Sequence, residues 1–174
     1  MQINTSISAI ENLMALINRD NETEVLAEHL EFGVPTEVTE GHGNTAITVT
    51  AAPLSPYKGT YDFFYTRLDL ADHHEGAVEY VFEEGDTLSS IKADIAAQLG
   101  LLDEEVEFDI SELDMDDPDG TVECSLRPVA DSLIYIGSLA VNIVVDTRTP
   151  LDQIFTVSEL DGFDLPAEED PVQG

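Results

Sequence analysis

A helix-spaced apolar stripe, a short strand, a turn and a long alternating segment follow one another in this chain, and then the same order begins again. Leu13 and Ile17 in the first stripe match Ile91 and Ile95 in the second at a separation of 78. Phe32 matches Phe108 at 76, and Pro53 matches Pro128 at 75. Tyr57-Lys58-Gly59-Thr60 matches Tyr135-Ile136-Gly137-Ser138 at 78. The small drifts belong to turns, where loops tolerate insertions. Collinear self-similarity of this kind predicts an internal duplication. Each unit is one helix with an antiparallel hairpin, which is too small for a stable core of its own. The expected fold is therefore α+β and mostly antiparallel. Residues 1–76 form the first unit, residues 77–148 the second, and residues 149–174 an acidic C-terminal extension.

Periodicity places the elements. Residues 6–18 carry Ile7, Ile10, Leu13, Met14, Leu16 and Ile17 at helical spacing, with Thr5 or Ser6 as the expected N-cap and Asp20-Asn21 at the end. Leu30-Glu31-Phe32 reads as a short strand. In residues 45–51, Ile47, Val49 and Ala51 alternate with Thr48 and Thr50, which is a half-buried strand. Residues 59–70 read as one long strand, with Tyr61, Phe63, Tyr65, Arg67 and Asp69 on one face. Val78, Tyr80 and Phe82 alternate. Residues 87–99 form a helix with Leu88, Ile91, Ile95 and Leu99 on one stripe, Asp86 or Thr87 as N-cap and Gly100 as its stop. Val106, Phe108 and Ile110 alternate, as do Val122, Cys124 and Leu126 before Pro128. Residues 137–145 read as a second long strand.

The charge excludes whole classes of partner. Against 37 Asp and Glu stand 6 Lys and Arg, a formal net charge of −31. Phosphate contacts need clustered Lys and Arg, so nucleic acid is not an expected partner. An anionic membrane surface is excluded for the same reason. The N-terminal residues have no basic segment followed by an apolar run, and no stretch of 18 apolar residues exists, so neither a signal peptide nor a membrane span is expected. A single cysteine permits neither an internal disulfide nor a multi-cysteine metal site.

Candidate chemistry is sparse. In the acidic run Asp114-Met115-Asp116-Asp117-Pro118-Asp119-Gly120, placing Gly120 at the sixth position of a calcium loop puts Met115 first and Leu126 twelfth. Neither ligates calcium, so an EF-hand is excluded and the run reads as a solvated turn. Asp69, Asp72 and Glu75 read the same way. His73 and His74 are adjacent and point to opposite faces of any strand, so they do not share a metal there. Cys124 sits on an apolar face and reads as a small core residue. No catalytic, cofactor or metal residues are expected. The aromatic segment Tyr57, Tyr61, Phe63, Phe64, Tyr65 has only Lys58 and Arg67 nearby, too few cations for a base-stacking platform. In the extension, Ile154, Phe155, Val157 and Leu160 crowd together among acids and form a candidate subunit interface.

The run Leu13-Met-Ala-Leu-Ile-Asn18, with Leu30-Glu-Phe-Gly-Val-Pro35, Asn44-Thr-Ala-Ile-Thr-Val-Thr50, Tyr57-x-Gly59 and Tyr65-Thr-Arg67-Leu68-Asp69-Leu70, resembles proteins of large tailed bacteriophages. Ser132-Leu-Ile-Tyr-Ile-Gly-Ser138 is similar to their second half. The resemblance covers residues 6–145, leaves out the tail and carries no catalytic residue. It implies a non-enzymatic virion structural protein, assembled in the host cytoplasm and oligomeric in the particle. A capsid decoration or minor capsid component on the outer surface is the favoured place, with the major capsid protein or tail components as partners. An acidic exterior suits solvent and opposes aggregation. The alternatives are a tail or baseplate accessory protein and an acidic inhibitor that mimics DNA.

Overall fold

The computed structural model describes residues 1–113, 120–145 and Ile154. The first helix, α1, spans Ala9–Asn21. Its cap is Ser8, not Thr5 or Ser6: the Glu11 N–H donates to Ser8 Oγ, and the Ser8 N–H donates to Glu11 Oε2 at 2.8 Å. Of the three candidates only Ser8 has a Glu at the third position after the cap, the residue that best closes this reciprocal box. Ser6 instead gives its N–H to Asn4 Oδ1 in the preceding turn. Ile10, in the first turn, is exposed, while Leu13, Met14 and Ile17 are buried.

Four antiparallel strands lie under α1: β1 (Leu30–Phe32), β2 (Thr36–Glu37), β3 (Thr45–Ala51) and β4 (Thr60–Tyr65). β3 is central. It pairs with β1 and β2 along one side, as in Phe32 opposite Val49, and with β4 along the other, as in Val49 opposite Tyr61. Ile47 and Val49 point into the core, as the alternation required.

The long strand expected over 59–70 stops at Tyr65. Asn44 takes both backbone groups of Arg67: the Arg67 N–H donates to Asn44 Oδ1, and Asn44 Nδ2 donates to the Arg67 carbonyl. The ladder with β3 ends there. The chain then forms β5 (Leu68–Asp69) and a single 3-10 turn, Leu70–His73.

The second half adds β6 (Val78–Phe82), α2 (Leu88–Leu99), β7 (Val106–Phe108), β8 (Thr121–Pro128), β9 (Tyr135–Ile136) and β10 (Leu139–Val145). Thr87 caps α2, and Gly100 ends it in the left-handed region at φ 67°. The strand expected from residue 137 begins at Leu139, because Gly137 turns the chain at φ 71°. The strand beginning at Val106 ends at Phe108, before Ile110. The four-stranded order is β6-β10-β8-β7, with β6 parallel to β10 and the other neighbours antiparallel.

A parallel pair, β5 with β9, joins the two halves. One apolar core runs through both, from Leu13, Ile17 and Ile47 to Ile91, Ile95, Val141 and Ile143. The fold is α+β and mostly antiparallel. Among the described residues no helix is long and apolar enough to cross a membrane.

Candidate functional site

Of the candidate interface residues, Ile154 is described and exposed. Phe155, Val157 and Leu160 lie outside the described residues, as do the rest of the 149–174 extension and the acidic turn at 114–119.

Exposed apolar surface gathers around β4. The aromatic segment is divided between core and solvent. Phe63 and Tyr65 pack against the core, whereas Tyr61 is 67% and Phe64 56% exposed. Two grooves, each about 350 Å³, open beside α1. Leu13, Leu16, Phe64, Tyr65, Met1 and Ile3 line one. Ile17, Val25, Tyr57, Tyr61 and Phe63 line much of the other.

β4 is also an open edge. Ala51 N–H donates to the Gly59 carbonyl, which sets the phase of the ladder. Backbone groups alternate sides along a strand, so Tyr61, Phe63 and Tyr65 face β3 while Thr60, Asp62 and Phe64 face away. Among the described residues nothing pairs with those outward groups. Residues 78–82 alternate before the second helix, whereas residues 1–8 show no such alternation before the first.

A buried polar junction ties the halves together. The Arg67 side chain, 9% exposed, donates from Nε to Thr45 Oγ1 at 2.8 Å and from Nη1 to the Ser132 carbonyl at 3.0 Å. Glu105, 7% exposed, accepts on Oε2 from Ser132 Oγ and from the Leu133 and Ile134 N–H groups. Tyr65 Oη donates to the Leu133 carbonyl, and burial pushes the Tyr65 phenol up to about 12. Residues so far apart in sequence left no local signal. Their bonds go to Thr45, Ser132 and the backbone of residues 132–134, so they hold the structure together.

The other candidates are dispersed. Cys124 is buried on β8, and burial pushes its thiol up to about 11, which suppresses the nucleophilic thiolate. His73 stands edge-on to Tyr135, while His74 Nδ1 lies 3.4 Å from the Gly76 carbonyl. Asp69 Oδ1 accepts the Ala71 N–H and so caps the turn it begins. Among the described residues no three His, Cys, Asp or Glu side chains are placed to hold a metal ion.

The chain belongs to a family of unknown function (DUF7941), whose profile matches residues 4–174 and so includes the acidic extension. No curated protein and no solved structure matches it.

Proposed function

We propose that this chain is a non-enzymatic structural protein of a tailed bacteriophage particle that works by binding other proteins, as a decoration or minor component on the outer capsid surface. The observation that carries the reading is the use made of the few cations. Among the described residues Arg19 is bonded to Asp20, Lys92 to Asp103 and Arg127 to Glu107, and Arg67 is buried, which leaves Lys58 as an exposed cation with no ion pair. Carboxylates therefore dominate the exterior, and the field around the molecule is anionic. Such a surface stays in solvent or meets a basic protein face. The phage assignment itself rests on the sequence resemblance. Mass spectrometry of purified particles tests it: stoichiometric copies support a virion component. Absence from particles, with capture of a DNA-binding enzyme instead, favours the DNA-mimic reading.

The two halves are also proposed to descend from a duplication, and their ladders support this. Leu30 faces Ala51 in the first sheet as Val106 faces Pro128 in the second, and Val49 faces Tyr61 as Leu126 faces Leu139. Each pair of equivalents lies 76 to 78 positions apart. The flanking bonds repeat as well. Ala52 N–H to the His29 carbonyl corresponds to Val129 N–H to the Glu105 carbonyl, and Gly33 to Thr48 corresponds to Asp109 to Ser125. Leu54 and Asp131 are both left-handed, at φ 68° and 64°. This register makes Ala51, rather than Pro53, the equivalent of Pro128, and keeps Tyr57-x-Gly59 with Tyr135-x-Gly137. An experimental structure that shifts either ladder out of this correspondence would remove the duplication.

A further inference from the structure

We propose that the outer edge of β4 is a docking site for an extended basic segment of a partner protein, which adds to the first sheet as a strand. That the partner is a protein rests on the function proposed above; the open edge does not. The second sheet supplies the template. There β10, the counterpart of β4 in the ladder correspondence, is covered by β6 in parallel, from Val141 opposite Val78 to Val145 opposite Phe82. In β6 the alternating Val78, Tyr80 and Phe82 turn toward the core, Val78 fully buried and the other two half-buried, while Glu79 and Val81 are exposed. β4 has the same inner strands beneath it and no such cover among the described residues.

The space that β6-like side chains would take is present and apolar. Tyr80 Oη bonds Asp94 on α2. The residue 78 positions earlier, on α1, is Leu16, which lines the first groove. That groove and its neighbour flank β4 at the level of Tyr61, Phe63 and Tyr65. An added strand therefore brings backbone to Thr60, Asp62 and Phe64, and apolar side chains to the two grooves, the usual division of labour in strand addition.

Charge selects the occupant. A second copy would set −31 against −31. The chain's own residues 146–174 carry eight carboxylates and one cation, Arg148. The exposed Asp62 on β4 faces an incoming strand, and lysine or arginine at its outward positions would answer it. The segment that fits alternates apolar with basic residues.

The test uses the full chain and a synthetic probe, the β6 sequence with lysine at its two outward positions, Val-Lys-Tyr-Lys-Phe, flanked by neutral residues, against a scrambled control. Expected are saturable binding that weakens with salt, slowed amide exchange at Thr60, Asp62 and Phe64, and at least tenfold weaker binding by Asp62→Pro. Proline removes the outward N–H and is tolerated at sheet edges. Asp62→Lys leaves the backbone intact and should weaken the lysine probe severalfold, so the edge is tested even if the proline variant unfolds. The proposal is overturned if the probe binds no better than its scramble or if folded Asp62→Pro binds it equally. It is also overturned if those three amides are already protected in the free chain. Loss of such protection on dilution would name a second copy as the occupant, and loss on deleting residues 150–174 would name the tail. Probe binding at β4 with no copies in purified particles would retire the virion reading and leave the docking site standing.

Discussion

Glu105 accepts a 2.6 Å hydrogen bond from the Ser132 hydroxyl, and the same carboxylate oxygen takes the N–H groups of Leu133 and Ile134. One buried side chain thus fixes the turn that leads into β9. Arg67, from the first half, holds the Ser132 carbonyl from the other side. Under the proposed duplication the counterpart of Glu105 is His29, whose Nδ1 is buried with no partner among the described residues. The loop beside His29 leaves Tyr57 47% exposed, whereas Tyr135 is fully buried.

Removing the Glu105 carboxylate should therefore be costly. Glu105→Ala strands three donors in a buried site, and each unpaired group costs about 1–3 kcal/mol. Relaxation and water will recover part of this, so we expect a loss of about 3 kcal/mol from urea unfolding. Glu105→Gln keeps an acceptor and should lose roughly half as much. His29→Ala, lacking such a network, should lose less than Glu105→Ala; equal losses would deny the asymmetry between the halves.

Ile91→Ala tests the helix faces. Ile91 and Ile95 are fully buried, and truncating a buried aliphatic usually costs about 2–5 kcal/mol. Ile10→Ala, on the exposed side of α1, should stay within about 0.5 kcal/mol. Comparable losses would mean that α1 is rotated from the orientation described.

Elements whose structure is set locally were legible in the sequence. The extent of β3, a cap of α2 at Asp86 or Thr87 with its Gly100 stop, and the burial of Leu13, Ile17, Ile91 and Ile95 follow from period and cap chemistry alone, and the structure selects Thr87. The break after Tyr65 was not legible, because it is made by Asn44, 23 residues away from Arg67 along the chain. Nor was the Arg67–Ser132–Glu105 junction, for the same reason. The open β4 edge lay in between. Its aromatic residues were evident, but alternation cannot say which edge of a strand lacks a neighbour.

Gly43 is held against β4. A Cβ there would collide with the backbone of Tyr65, and its φ of 94° strains any side chain. Gly41, at φ 112°, has nothing within 4 Å. Both alanine variants carry backbone strain of about 1–3 kcal/mol, so Gly43→Ala should destabilise by more than Gly41→Ala, the difference reporting the collision. Equal melting temperatures would show that the 40–44 turn is free of β4.

Alkaline pH should weaken the fold through Cys124. The unfolded thiol loses its proton near pH 9 and the folded one near 11. Between those values the folded state binds more protons, so raising pH favours unfolding. The stability is fully present below pH 9 and is lost as pH climbs toward 11. Cys124→Ala should lower stability at pH 7 but flatten this decline, by up to about 1.4 kcal/mol per pH unit for the one proton. The phenols of Tyr65 and Tyr80, both pushed up to about 12, begin to contribute only above pH 10 and remain in the variant. An unchanged slope between pH 9 and 10 would place the thiol in solvent.

Screening should stabilise the isolated protein. With −31 formal charges on 174 residues, carboxylates repel across distances that salt shortens to about 10 Å at 0.1 M. The unfolded chain spreads those charges further apart, so the repulsion is relieved by unfolding and weakened by salt. Raising NaCl from roughly 10 mM to roughly 300 mM should lift the melting temperature by several degrees, at roughly 2–4 °C per kcal/mol for a chain of this size. Calcium separates screening from a specific site. An EF-hand register on the acidic sequence 114–120 puts Met115 and Leu126 at ligand positions that neither can fill, so calcium should stabilise no more than magnesium at equal ionic strength. An excess of several degrees for calcium, removed by Asp117→Asn with Asp119→Asn, would instead place a calcium site in that turn.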